Sequence, residues 1–319
     1  MNKLKPLPEE WSGLLNNEQK EAIENIYGPL LIIAGAGSGK TRVLTYRYAH
    51  LIKTYGINFE NVLAITFTNK AANEMKDRIS DLLNLELSPK WISTFHSLCV
   101  KMLRIHGHLI GFNNNFTIYD QSDSTKLVRN CMRDSDIDTK QYSPKRIQAH
   151  ISSLKNQRIL PGEAVEFAQS FFDVKVAEIY SSYQKKLMLA NSMDFDDLLI
   201  KAVELLETSD KSLNYWSSKF QYIMIDEYQD TNMVQYRLVE LLASKHKNIC
   251  VVGDSDQSIY AFRGADIRNI EEFESDFKNA KVISLEKNYR SSQKILDIIG
   301  MPSNRFIFSS RASNLRFAP

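Results

Sequence analysis

Eight consecutive residues offer the clearest chemistry in the chain: Ala34, Gly35, Ala36, Gly37, Ser38, Gly39, Lys40 and Thr41. Glycines let backbone N–H groups curl around phosphate oxygens where a side chain would collide. A helix opening at the lysine adds positive potential. Lys40 can reach the β- and γ-phosphates, and the Thr41 hydroxyl suits Mg²⁺. The strict form of this pattern begins with glycine, and Ala34 stands in that place. The bland alternative is a glycine-rich turn with a solvated lysine. Much later come Asp226 and Glu227, at the end of an apolar run. An aspartate there can hold Mg²⁺, directly or through water. A neighbouring glutamate can orient or deprotonate an attacking water. Taken alone, such acids read as caps of the next helix. Combined with the lysine loop, they point to nucleoside triphosphate hydrolysis.

These groups need a scaffold that brings distant segments together. Residues 29–34 (PLLIIA) read as a buried strand, followed by the glycine loop and a helix from about Lys40. Residues 62–67 (VLAITF) form a second strand, with Ala71, Ala72, Met75 and Ile79 at helical spacing behind it. Further strands are expected at 91–95, 222–225, 249–252 and 282–285. Short, nearly continuous apolar strands alternating with helices indicate an α/β fold, a parallel sheet covered by helices on both faces. Residues 113–190 differ, with little strand signal and with Val176, Ile179, Tyr180, Tyr183 and Leu187 at helical spacing. The Asn113-Asn114-Asn115 run and Ser143-Pro144 read as loop punctuation. The expected division is a discontinuous α/β domain over 1–112 and 191–299, a helical insertion over 113–190, and an aberrant, unstructured tail over 300–319.

Composition excludes several classes. With 43% hydrophobic and 24% charged residues, the chain is neither a disordered tail nor a fibre. No apolar run approaches the ~20 residues of a membrane helix. Met1 to Pro6 lack the apolar core of a secretory signal. Cys99, Cys131 and Cys250 fit neither a disulfide framework nor a zinc site, so a reducing, cytoplasmic setting is expected. The net charge of +2 resides in the last twenty residues, where Arg305, Arg311 and Arg316 meet no acid. Without them 37 basic residues face 38 acidic ones, so global charge gives no sign of nucleic acid.

Further short motifs occur in a fixed order. Leu15-Asn16-Asn17-Glu18-Gln19 precedes the phosphate loop. After it come Thr66-Phe67-Thr68-Asn69-Lys70-Ala71-Ala72, Thr94-Phe95-His96-Ser97, Asp226-Glu227-Tyr228-Gln229-Asp230, Gly253-Asp254-Ser255-Asp256-Gln257-Ser258-Ile259-Tyr260 and Asn288-Tyr289-Arg290-Ser291. From about residue 15 to 299 this series closely resembles the superfamily 1 DNA helicases of the UvrD/Rep/PcrA type, whose core is a P-loop RecA-like domain. The resemblance implies ATP and Mg²⁺ as ligands, with Lys40, Thr41, Asp226 and Glu227 in the roles given above. Gln19 resembles an adenine-reading glutamine, Gln257 a γ-phosphate sensor, Arg290 an arginine on the γ-phosphate, and Tyr289 the ring packed on adenine. Alone, Tyr289 reads as a core tyrosine. Arg42 touches nucleotide or is simply an exposed helix arginine.

The same resemblance implies a single DNA strand, or a single-strand/duplex junction, as partner of a monomer. Phe67, Tyr260 and Phe262 match positions lining the strand path, where aromatic stacking tolerates any sequence. Thr66, Thr68, Asn69, Thr94 and His96 can bond phosphates or sugars. Alone, Phe67 reads as core and His96 as a satisfied structural histidine. Phe262 departs from the tryptophan common in relatives, offering a smaller stacking ring. Asp194-Phe195-Asp196-Asp197 matches a family segment, and reads equally as a helix N-cap with acids in the first turn.

Such motors hold ATP between two RecA-like domains, each with an insertion, and four domains need about twice this chain. The second domain's motifs are absent here, including an arginine finger worth ~10³–10⁵ in rate. The expectation is binding of ATP–Mg²⁺, weak strand binding, slow hydrolysis and no unwinding; 3′–5′ polarity follows from the resemblance alone. A Gly300-Met301-Pro302 break and the unfamiliar residues after it suggest a truncated or frameshifted product, or an artificial fragment. The competing expectations are a non-catalytic ATP- or strand-binding fragment and a P-loop ATPase unrelated to nucleic acid.

Overall fold

Strands dense in β-branched and aliphatic residues pair into one sheet because both of their faces are covered. The computed structural model describes residues 4–85, 89–254 and 273–290. Strands β1 (Leu30–Ala34), β2 (Val62–Thr66), β3 (Ile92–Thr94), β4 (Thr117–Ile118), β5 (Ser192–Met193), β6 (Tyr222–Ile225), β7 (Ile249–Gly253) and β8 (Lys281–Leu285) follow in chain order. The helices are α1 (Glu9–Ser12), α2 (Asn17–Glu24), α3 (Lys40–Lys53), α4 (Asn69–Leu83), α5 (Phe95–His106) and α6 (Gln121–Asp134). They continue with α7 (Pro144–Asn156), α8 (Phe171–Leu189), α9 (Phe195–Thr208), α10 (Asp210–Lys219) and α11 (Met233–Ala243).

Among the described residues, six strands form one sheet in the order β3-β2-β6-β7-β1-β8, every pair parallel. The chain has the α/β RecA-like architecture expected of it. Side chains alternate strictly between two cores. Leu31, Leu63, Ile65, Ile223, Ile225, Ile249 and Val251 face one, with α5, α9, α10 and α11 over them. Leu30, Ile32, Val62, Ala64, Met224, Cys250 and Val252 face the other, under α2, α3 and α4. Each fully buried aliphatic side chain is worth about 1.5–3 kcal/mol of transfer free energy, so the central strands anchor the fold.

A third buried cluster lies outside the sheet. It includes Val128, Cys131 and Met132 of α6, Ile147 and Ile151 of α7, and Val176, Ile179, Tyr180, Tyr183 and Leu187 of α8. The helical spacing noted in sequence is this packed stripe. Two-residue strands β4 and β5 were not expected; they pair in parallel. Nearby, the Asn113 N–H donates to Asn191 Oδ1 at 2.9 Å, so the two ends of the helical segment meet. Bridges of two residues leave no periodicity to read. Ser143-Pro144 is a helix start rather than a loop, with Ser143 at the N-cap of α7 and Pro144 in the first turn. The third strand stops at Thr94 rather than Phe95, because the Thr94 hydroxyl accepts from the Ser97 N–H and caps α5. Cys99, Cys131 and Cys250 are buried thiols. Among the described residues, no helix is long and apolar enough to cross a membrane.

Candidate functional site

A parallel sheet puts the carboxyl ends of all its strands along one edge, where ligands bind in such folds. Here that edge gathers the loop after β1, Thr66 to Asn69 after β2, Thr94 at the end of β3, Asp226 after β6, Asp254 after β7, and Asn288 to Arg290 after β8.

The loop from Ala34 to Lys40 is held by its own backbone. The Ser38 hydroxyl donates to the Gly35 carbonyl at 2.7 Å. Gly37 and Gly39 take left-handed φ values of 74° and 92°. A Cβ on Gly37 would lie 2.6 Å from Arg290 Cβ, and one on Gly39 would lie 2.9 Å from Gln19 Nε2. Glycine is therefore dictated twice at each place, by backbone and by space. The segment after β8 rests on this loop. Asn288 Nδ2 donates to the Ala36 carbonyl and the Tyr289 N–H to the Gly37 carbonyl, both at 2.8 Å. Tyr289 is 51% exposed, so it is not a core residue, and Arg290 is exposed beside the loop.

Lys40 and Thr41 open α3 and point at the end of β6. Lys40 Nζ lies 3.0 Å from Glu227 Oε2 and 3.9 Å from Asp254 Oδ2. Thr41 Oγ1 donates to Asp226 Oδ2 at 3.3 Å. Glu227 adopts φ 51°, ψ 47°, an uncommon left-handed conformation for a non-glycine residue. Gln229 Nε2 donates to Glu227 Oε2 at 2.9 Å, while its Oε1 accepts the Asp254 N–H at 3.0 Å. Burial, then the Glu227 charge, pushes the Asp226 carboxyl up to about 6. Asp230 is likewise pushed up to about 6 by burial and Glu227. Gln19 is buried, and its Nε2 donates to the Ser38 carbonyl at 3.1 Å. Arg42 turns outward, its guanidinium 5.7 Å from the Tyr46 ring centroid. A phosphate chain and a divalent cation fit this arrangement. Gly37 and Gly39 let Arg290 and Gln19 close against the loop without a Cβ between, and Thr41 and Asp226 offer the hard oxygens Mg²⁺ requires.

Beside the glycine loop and the Asp226-Glu227 pair lies a cavity of about 990 Å³. The sheet edge contributes Thr66, Phe67, Thr68, Thr94, His96 and Asn232, and the helical segment contributes Tyr119, Gln121, Gln148, Ser152 and Asn156. Phe67 is half-buried, edge-on to Phe95 at 5.9 Å between centroids. His96 stands 5.8 Å from the ring of Phe195, and burial lowers its pKa. The Thr66 hydroxyl donates to the Thr68 carbonyl, and Thr68 caps α4. Asn69 is exposed on the first turn of that helix. Asp120, Asp194, Asp196 and Asp230 also line the cavity, and among the described residues the lining includes no lysine or arginine. Gln257, Tyr260 and Phe262 lie outside the described residues, as do the residues after Arg290.

Sequence reasoning missed the polar joint between the helical segment and the sheet. Lys155, buried on α7, reaches Asp194 Oδ2 at 2.7 Å and Asp197 Oδ1 at 2.8 Å. Tyr183 adds its hydroxyl to Asp194 at 2.8 Å. Burial alone would lower the Lys155 pKa, but the Asp197 and Asp194 carboxylates outweigh it and hold it above the usual lysine value. Burial and Asp194 push Asp197 up to about 6. Asp194 is indeed an N-cap, in a capping box with Asp197, so the bland reading of that segment is correct, though incomplete. Next to it, Asn156 Oδ1 accepts from Asn232 Nδ2 at 2.7 Å. Partners 39 and 76 residues apart leave no local signal.

Comparison with known proteins agrees with this geometry. Residues 15–278 match the family model described as the UvrD/REP helicase N-terminal domain. The chain is 50% identical over 283 residues to proteins named ATP-dependent DNA helicase PcrA from Staphylococcus epidermidis and Staphylococcus aureus. The match covers 89% of this chain and 39% of each relative, so the chain spans about two fifths of the length of the curated relatives it matches. The chain belongs to the UvrD/Rep helicase family and carries that family's N-terminal domain.

Proposed function

We propose that this chain binds ATP–Mg²⁺ at the sheet's carboxyl edge and a single DNA strand in the adjoining cavity, as the nucleotide-binding part of a DNA helicase motor. The observation that carries the reading is the convergence of Lys40, Thr41, Asp226 and Glu227 from α3 and the end of β6 beside one glycine-rich loop. Lys40 would exchange its Glu227 and Asp254 partners for phosphate oxygens. Thr41 and Asp226 would hold Mg²⁺, which when bound neutralises phosphate charge. Glu227, released from Lys40 and still held by Gln229, would accept a proton from the attacking water. Gln19 and Tyr289 would hold the base, and Arg290 would meet the terminal phosphate.

The described lining, with aromatic walls, amides and acids and no lysine or arginine among these residues, suits bases rather than phosphates. The strand's bases would stack against Phe67 and Phe195, while its backbone would run over the exposed Thr68 and Asn69. We further propose that residues 113–190 form an inserted helical subdomain within a core made of 1–112 and 191–299. The separate apolar cluster and the meeting of its two ends at Asn113 and Asn191 support this division.

Titration calorimetry with ATP–Mg²⁺, and anisotropy with a labelled oligothymidylate, test the reading. One nucleotide should bind per chain, with affinity at least tenfold weaker in Lys40→Ala. Phe67→Ala should weaken the oligonucleotide several-fold, since a stacked base is worth about 1–3 kcal/mol. Equal nucleotide affinity in Lys40→Ala would refute the phosphate site.

A further inference from the structure

Three segments depart from the charge balance of the rest of the chain. Residues 95–119, 179–193 and 211–225 hold Lys101, Arg104, Lys185, Lys186, Lys211 and Lys219, and not one Asp or Glu. The first carries α5 and the 3-10 turn Gly107–Ile110 that continues it, the second the end of α8, and the third most of α10. The fold brings them together. Trp216 Nε1 donates to His106 Nδ1 at 3.0 Å, and the Tyr215 ring stands edge-on to the same imidazole at 5.0 Å, so α10 is pinned to the end of α5. The end of α8 reaches the same turn: a Cβ on Gly111 would lie 3.5 Å from Met188 Cε.

Each of the three elements turns apolar and basic side chains outward together. Ile105, His108 and Leu109 follow at i, i+3 and i+4, and so do Lys185, Met188 and Leu189 on α8. Lys211 and Tyr215 are four apart on α10. All eight are exposed, Leu189 by 88%. Lys186 is tied to Asp134 and Lys219 to Glu60, but Lys185 and Lys211 join no ion pair among the described residues. Asp210, next to Lys211, belongs to the first turn of α10, where its charge meets the helix N-terminus. Single exposed aliphatics need no explanation, whereas five large apolar side chains on three adjoining elements, rimmed by cations, make an interaction patch. None of the eight lines the cavity. The helix α5 starts at Thr94 on the carboxyl edge of the sheet and runs back along it, so a partner here would leave the glycine loop and the cavity uncovered.

The composition of the patch selects its occupant. A second copy would set lysine against lysine, because a two-fold contact apposes like surfaces. A nucleic-acid strand gains little from Leu109, Met188 and Leu189, since bases stack on rings. Apolar anchors with cations beside them complement a helix that carries its own apolar stripe and acidic flanks. The unbranched Met188 can adapt to the shape of such a stripe. We propose that the ends of α5 and α8 and the start of α10 form a docking surface for an acidic amphipathic helix of a partner protein.

The test is fluorescence anisotropy, with the full chain, of a fluorescein-labelled peptide of about five helical turns that carries leucine at i, i+3, i+4 and i+7 and glutamate beside them. A second peptide has lysine in place of every glutamate. The glutamate peptide should bind saturably, at least tenfold more tightly than the lysine peptide, and more weakly as salt is raised. Leu109→Glu and Leu189→Glu alter exposed side chains and should each weaken it about tenfold while leaving the urea midpoint of the chain unchanged. Lys185→Glu combined with Lys211→Glu should weaken it several-fold and flatten its salt dependence. Absence of binding, equal binding of the two peptides, or binding that both leucine substitutions leave intact would overturn the proposal. Binding of phosphatidylcholine–phosphatidylglycerol vesicles that the same substitutions abolish would overturn it in favour of a membrane surface. A dimer in sedimentation velocity that Leu189→Glu dissolves would overturn it in favour of a second copy.

Discussion

Asp226 is almost fully buried beside Glu227, and both conditions favour its protonated form. A carboxyl raised to about 6 is ionised in the folded chain at neutral pH only at a cost to stability. The unfolded carboxyl titrates near 3.9, so the folded state holds the proton more tightly. Through this group, stability is full below about pH 4 and falls as pH rises through about 6. Asp226→Asn should therefore stabilise the nucleotide-free chain by about 1–3 kcal/mol at pH 8, with the gain shrinking towards zero at pH 4. Urea unfolding of both proteins across that range measures it, and an equal gain at every pH would contradict it. Lys155 presents the opposite case, a buried cation that two carboxylates require. Lys155→Met should cost about 3–5 kcal/mol by leaving them unpaired, and adding Asp194→Asn and Asp197→Asn should restore part of the loss. The urea midpoints of the single and triple variants check this. Lys40, Thr41, Asp226 and Glu227 were legible because their chemistry demands particular residue types at a strand end. Lys155 and Asn156 were not, since a lysine or asparagine on a helix is ordinarily solvated and only the tertiary fold brings its partners.

The strands were readable as elements because burial on both faces leaves unbroken apolar runs, as in Leu30 to Ala34 and Ile249 to Val252. Helix starts were less readable, because a single hydroxyl or amide decides them. Thr94 ends a strand by capping a helix, and Ser143-Pro144 begins one where a loop was expected. The bridge between β4 and β5 rests on two residues a side and had no pattern to betray it. Caps also carry predictions. Asn232 begins α11 with a capping box to Gln235 and also bonds Asn156. Asn232→Ala should cost about 1–2 kcal/mol in thermal or urea unfolding, a cap loss enlarged by the orphaned Asn156 amide. In the phosphate loop, Gly37→Ala combines a left-handed φ with a Cβ 2.6 Å from that of Arg290. The segment after β8 should lift from the loop, and ATP affinity should fall at least tenfold by calorimetry. Unchanged affinity would mean that Asn288 to Arg290 take no part in the site.

At the scale of the molecule, one sheet edge holds the glycine loop and the cavity side by side, with Asp230 and Asn232 following directly from the Asp226-Glu227 pair into the cavity wall. Under the proposed function, that adjacency would be the physical basis for coupling nucleotide to strand. Likewise, the absence of lysine and arginine among the described lining residues favours, under the proposed function, a strand gripped by stacking and backbone contacts rather than by bulk attraction. The chain spans about two fifths of its relatives' length, so under the proposed function turnover by this chain alone should be slow. The most direct test of the account is steady-state ATP hydrolysis by the 319-residue chain with and without single-stranded DNA, beside Lys40→Ala. The account predicts slow turnover, raised by the strand and abolished by the substitution. Turnover that ignores the strand, or that survives in Lys40→Ala, would contradict it.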